Sequence, residues 1–145
     1  MRFKPAFTII ELLVVVALVA AIAVPSSMAI GSFRNRQAMA TSVEELTGAL
    51  RRAHIYAREA KDGQAWGVTF KDASSFVLVS GIPTDYSPRG EYALTAPSTF
   101  VNGGFEVWFG QGTGNVREEV SIEISQPSGL KAEVDVSKTG LVEAQ

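Results

Sequence analysis

The chain has 145 residues, no cysteine, a formal charge of −2 and 46% hydrophobic residues. That length supports one small domain, and the missing thiols exclude a disulfide framework and a thiolate metal site. Charge is unevenly held: residues 33–62 carry six Lys/Arg against four Asp/Glu, and residues 63–145 five against ten, which counts against a broad phosphate-binding surface.

The first segment joins a short basic leader, with Arg2 and Lys4, to an apolar run from Phe7 to Val24 that is broken by one charge, Glu11. An acidic side chain near the middle of a membrane helix costs roughly 2.5–3.5 kcal/mol, and less toward its end. Twelve Leu, Ile, Val and Phe residues in this run favour insertion by roughly 4–7 kcal/mol in sum. The segment therefore tolerates the charge in a bilayer, and an ionisable group there calls for a positive or hydrogen-bonding partner. No Lys or Arg lies between Lys4 and Arg34.

Two plain readings fit less well. A cleaved secretory signal with a small-x-small site at Ser27-Met28-Ala29 has no use for a charge in its apolar region and has a shorter one. A simple signal anchor accounts for the length, because Phe7 to Ile30 as a helix spans about 36 Å. It leaves Glu11 unexplained.

The stretch Ala6-Phe7-Thr8-Ile9-Ile10-Glu11-Leu12-Leu13-Val14-Val15-Val16, followed by an Ala/Ile/Val run to Val24-Pro25-Ser26, resembles the class III signal of type IV pilins and type II secretion pseudopilins. The resemblance implies a prepilin peptidase that cuts between Ala6 and Phe7 and methylates the new amine of Phe7. Residues 1–6 are then a leader peptide, and 7–30 a retained transmembrane and assembly helix in the bacterial inner membrane. It further implies that Glu11 pairs with the N-terminal amine of a neighbouring subunit, a charge-assisted contact that fixes register in low dielectric. Ala6 stands where the family more often has Gly, and the apolar run meets Pro25 about one helical turn sooner than is usual there.

Residues 31–62 are expected to continue as an amphipathic helix. Val43, Leu46, Leu50, Ala53, Ala57 and Ala60 recur at steps of three and four, a docking face for the protein's own sheet. Asp62-Gly63 reads as the helix stop. From residue 63 the period drops to two, and 63–145 reads as an antiparallel β head. Trp66, Val68 and Phe70 pair across a Lys71–Ser74 turn with a strand at Phe76–Val79. Residues 80–104, with Pro83, Pro88 and Pro97, read as a variable surface loop holding one short strand near Tyr92–Leu94. Alternation resumes at Phe105–Phe109, Val120–Ile124 and Leu130–Val136, separated by turns at Gly110–Gly114, Gln126–Gly129 and Ser137–Gly140. The fold class is α+β, a helix on an antiparallel sheet.

This order, ending in Ser137-Lys138-Thr139-Gly140-Leu141-Val142, is similar to the GspH/FimT group of minor pilins and pseudopilins and implies a pilin-like fold. The secretion member is a minor pseudopilin of the type II secretion system, a subunit of the periplasmic pseudopilus. Its implied partners are other pilin or pseudopilin subunits, met through the N-terminal helix, and the secretion or pilus assembly platform. The alternative is a minor pilin of a type IV pilus, serving motility, adhesion or DNA uptake. DNA-binding members end in an Arg-rich segment after the final Gly, whereas this chain reads Gly140-Leu141-Val142-Glu143, so DNA is disfavoured as a partner.

No cofactor is expected. Gly110–Gly114 lacks the Lys-Ser/Thr of a phosphate loop and reads as a hairpin turn. His54, the only histidine, reads as a partly packed helix residue and not as a metal ligand. Arg51, Arg52 and Arg58 read as solvated helix charges, and Glu118, Glu119 and Glu123 do not form a convergent cation site. No catalytic set is visible, and the chain is not expected to be an enzyme.

Overall fold

The computed structural model describes residues 8–145, the side chains of residues 22–29 excepted. One helix, α1, runs Ile9–Arg58 and is followed by a 3-10 turn, Lys61–Gly63. Eight strands follow: β1 Ala65–Asp72, β2 Ser75–Ile82, β3 Asp85–Ala93, β4 Thr99–Phe100, β5 Glu106–Phe109, β6 Val120–Ser125, β7 Lys131–Val136 and β8 Val142–Ala144. The chain divides into two compact units, one through Arg34 and one from Asn35 to Gln145.

In the first unit, Thr8 starts the helix. Its Oγ1 accepts the Glu11 backbone N–H at 3.3 Å, satisfying one of the donors that a helix N-terminus leaves open. The described apolar side chains from Ile9 to Val19 are exposed, with Ile9 at 81% and Leu13 at 63%.

The second unit is α+β, with the helix packed on antiparallel sheets. There are two sheets, of order β3-β2-β1-β5 and β4-β6-β7-β8, where the sequence predicts one. Both turn an apolar face to the helix, and Leu46, Ala49, Leu50, Ala53 and Ala57 share a core with Val68, Phe76, Val107, Phe109, Ile122, Ile124, Val134 and Val136. Small residues on the helix bring its backbone close to the sheets, so larger side chains can come from the strands. Of the expected stripe, Val43 and Ala60 are only half-buried, while Ala38, Met39 and Ser42 extend it toward the N-terminus.

Polar ties cross this core. The Ser42 hydroxyl donates to Ala38 O at 2.9 Å and accepts the Thr95 N–H at 2.9 Å. Buried Gln126 donates from Nε2 to Asn35 O at 3.0 Å and to Ser98 Oγ at 2.9 Å. Such bonds keep buried polar groups satisfied and fix the loops that carry them.

Three expectations need correction. The α-helix ends at Arg58, short of the expected stop at Asp62-Gly63; Ala60 (φ 49), Asp62 (φ 59) and Gly63 (φ 64) are all left-handed, so the reversal begins two residues before the glycine pair. Residues 80–104 are not mainly loop, because β2 reaches Ile82 and β3 pairs with all of it. Pro88 is tolerated because β3 is an edge strand and the proline sits at a bulge: Leu78 faces Gly90 and Val79 faces Pro88, leaving Arg89 extra. The bulge aims Arg89 at the Ser80 hydroxyl, 2.7 Å away, and over the Trp66 ring. Lastly, β4 and β8 are strands absent from the sequence reading; both are too short to show a period.

The β1–β2 turn is fixed by Asp72, whose carboxylate accepts the Ser75 hydroxyl, the Ser74 N–H at 2.8 Å and the Ser74 hydroxyl at 3.1 Å. These bonds hold its carboxyl below the usual range, the Ser75 hydroxyl foremost.

Candidate functional site

Of the residues tied to processing, Arg2, Lys4, Ala6 and Phe7 lie outside the described residues, so the Ala6–Phe7 bond has no structural account. Glu11 is described. It is exposed, in the first turn of α1, and among the described residues no cation pairs with its carboxylate. A carboxylate there complements the positive end of the helix dipole. Thr8-x-x-Glu11 is also the spacing of a capping box, in which the Glu side chain returns toward the cap residue. The described bond is the forward half of that motif. The sequence carried this signal, and it offers Glu11 a local role beside an intersubunit one.

No helix of the described residues is long and apolar enough to cross a membrane. The expected span, 7–30, includes Phe7 and the side chains of 22–29, which lie outside them.

The other end of α1 is closed from a distance. Ala57 O accepts the Gly112 N–H at 2.7 Å and the Ala60 N–H at 3.0 Å, so the Gly-rich turn after β5 supplies a donor for carbonyls that a helix C-terminus leaves open. That is the structural use of Gly110–Gly114, whose own turn is closed by Gly114 N–H to Gly110 O at 2.8 Å. A second turn, Ser137–Gly140, joins it through Val116 N–H to Lys138 O at 2.9 Å.

His54 is the wedge between these turns. A Cβ on Gly114 (φ 72) would stand 2.6 Å from the imidazole, and one on Gly140 (φ 81) 2.7 Å from it. Both positions therefore require glycine twice over, for backbone conformation and for space. The ring lies 5.4 Å from Phe109. Burial pushes the His54 imidazole below its ordinary value, and the Arg58 guanidinium adds to the shift.

The three helix arginines differ. Arg51 donates to Val142 O at 3.2 Å, and Arg52 donates to Gly48 O at 3.2 Å while lying over the Tyr92 ring at 5.1 Å. Both are thus partly structural, contrary to the reading of all three as solvated charges. Glu123 pairs with Lys131 at 2.6 Å, and among the described residues no group of three His, Cys, Asp or Glu could hold a metal ion.

The geometry therefore holds a capped helix start with a carboxylate that no described cation pairs, and a head closed by two glycine turns. No family model matches the chain, and no curated protein or solved structure matches it either.

Proposed function

We propose that the chain is a GspH-like minor pseudopilin of a type II secretion system, a non-enzymatic subunit with a pilin-like fold. In this reading a prepilin peptidase removes residues 1–6 and methylates Phe7. The helix then anchors the protein in the bacterial inner membrane in a single pass, with the head in the periplasm. Assembly into the pseudopilus buries the apolar side chains and gives Glu11 the amine of a neighbouring Phe7.

One observation carries the reading. Glu11 stands five residues into the mature chain that cleavage at Ala6–Phe7 would create, within an apolar run that is otherwise without charge. Exposure of Ile9, Leu12, Leu13, Leu18 and Val19 supports it, because apolar side chains at this density need a lipid or protein environment.

The deciding measurement is mass spectrometry of the mature N-terminus from membranes of a bacterium expressing the gene with its prepilin peptidase. The expected result is N-methylated Phe7. A mature terminus near Ile30, or an intact Met1, would overturn the proposal.

A further inference from the structure

β8 is the last strand of its sheet, so among the described residues one of its edges has no neighbouring strand. On the other side, Glu133 and Gln145 exchange both backbone bonds, at 3.1 and 2.8 Å, and the Ser137 N–H meets Leu141 O at 3.0 Å. Antiparallel alternation then turns the N–H and C=O of Val142 and Ala144 away from β7, toward the open edge. Val142 O is taken by Arg51. Both groups of Ala144 lack a partner among the described residues.

Beside this edge runs a groove of about 400 Å³ between α1 and the sheet. Its floor is apolar, with Met39, Ala40 and Val43 on the helix and Ala132 and Ala144 on the strands. Arg36 and Glu44 also line it, and neither forms an ion pair among the described residues. Eight residues apart on the helix, these two charges are separated by about 12 Å, the length of about four residues of extended strand. Thr47 shares this helical face between Glu44 and Arg51, 7% exposed, with a hydroxyl that has no partner among the described residues. The N–H and C=O that Ala144 turns to the open edge suit a polypeptide backbone better than a lipid, a sugar or a nucleic acid.

We infer that this groove receives an extended peptide segment of a partner protein, added to β8 as a further strand. About four residues long, the segment presents apolar side chains to the floor, a carboxylate to Arg36 and a cation to Glu44. Main-chain bonds to Ala144 supply affinity, and the floor and charges supply selectivity.

The test uses the purified full chain in detergent and a capped pentapeptide with aspartate first, threonine second and fourth, valine third and lysine last, so that both charges and the valine share one face. A control peptide has the same sequence N-methylated at alternate residues on either register. The first peptide is expected to bind saturably and to slow hydrogen exchange of the Ala144 amide at least tenfold, as is the form methylated on the register whose N–H groups turn away from β8, whereas the form methylated on the register facing β8 is expected to do neither. Ala40→Asp, at an exposed helix position, is expected to weaken binding at least tenfold with an unchanged melting temperature, and Arg36→Glu to weaken it less. Absence of saturable binding, equal binding of both methylated peptides, or indifference to Ala40→Asp would each overturn the inference. Slowed Ala144 exchange that rises with protein concentration alone would place a second copy in the groove and overturn it too.

Discussion

The two parts of α1 use apolar residues in opposite ways. Before Arg34 the helix is dense in Leu, Ile and Val, and those described are exposed; after Asn35 it is rich in alanine, and Ala49, Ala53 and Ala57 are fully buried. Hydrophobicity alone thus does not tell which segment makes the core. What decides is whether the chain supplies an opposing surface: β1, β5, β6 and β7 face the second part, while the described apolar side chains of the first stay exposed.

The largest effect expected from disturbing this contrast is at Glu11. Glu11→Gln keeps the capping-box geometry, since Gln serves at that position, but removes the charge. On the function proposed above, loss of the pair lowers incorporation into the pseudopilus by about a hundredfold or more, read by co-purification with other pseudopilins, with the melting temperature of the head unchanged. Full incorporation of the Gln variant would reduce Glu11 to a cap.

Leu50→Ala tests the second part. Leu50 is fully buried in the core, and its truncation should destabilise the head by about 2–5 kcal/mol, measured by urea denaturation. Gly140→Ala should cost about 1–3 kcal/mol, because its φ of 81 is strained for alanine and the added carbon meets His54 and Gly114 O. Thr8→Ala should lower helix stability in the first part by about 1 kcal/mol, visible by circular dichroism, without affecting the head.

The smallest effect is a pH dependence from His54. Its folded-state pKa lies below the ordinary 6.5, so the unfolded chain binds the proton more readily; the stabilisation is whole above about 6.5 and declines as pH falls toward the folded value. The difference in melting temperature between the wild type and His54→Gln should therefore narrow from pH 7.5 to pH 5.5. A constant difference would remove His54 from the pH response.

Much of the head was legible because its inner strands keep a strict period of two. Val107 and Phe109, Ile122 and Ile124, and Val134 and Val136 are all buried as the alternation requires. All of β3 but its end, which the expected short strand near Tyr92–Leu94 overlaps, was hidden because nearly all of it is exposed, so no apolar period marks it, and Pro88 reads as a breaker until its edge position and bulge are known. The helix stop was misplaced because local turn chemistry at Asp62-Gly63 gives no sign of a donor from a distant turn. In the candidate site, Glu11 stood out as a lone charge, while its link to Thr8 went unread although the Thr8-x-x-Glu11 spacing carries it. The joint demand of Gly114 and Gly140 for the space beside His54 was invisible, since nothing in either turn points to a helix residue so far upstream.

The bond from the Gly112 N–H to Ala57 O bears on the order of folding. During synthesis α1 emerges long before residues 110–114, so Ala57 O has only the local bond from the Ala60 N–H until β5 has paired with β1 and carried the turn into place. Closing that end is a non-local event, slow relative to helix growth. The helix end should therefore remain frayed in any nascent chain that stops before Gly112, and protection of the amides near Arg58 would report completion of the first sheet.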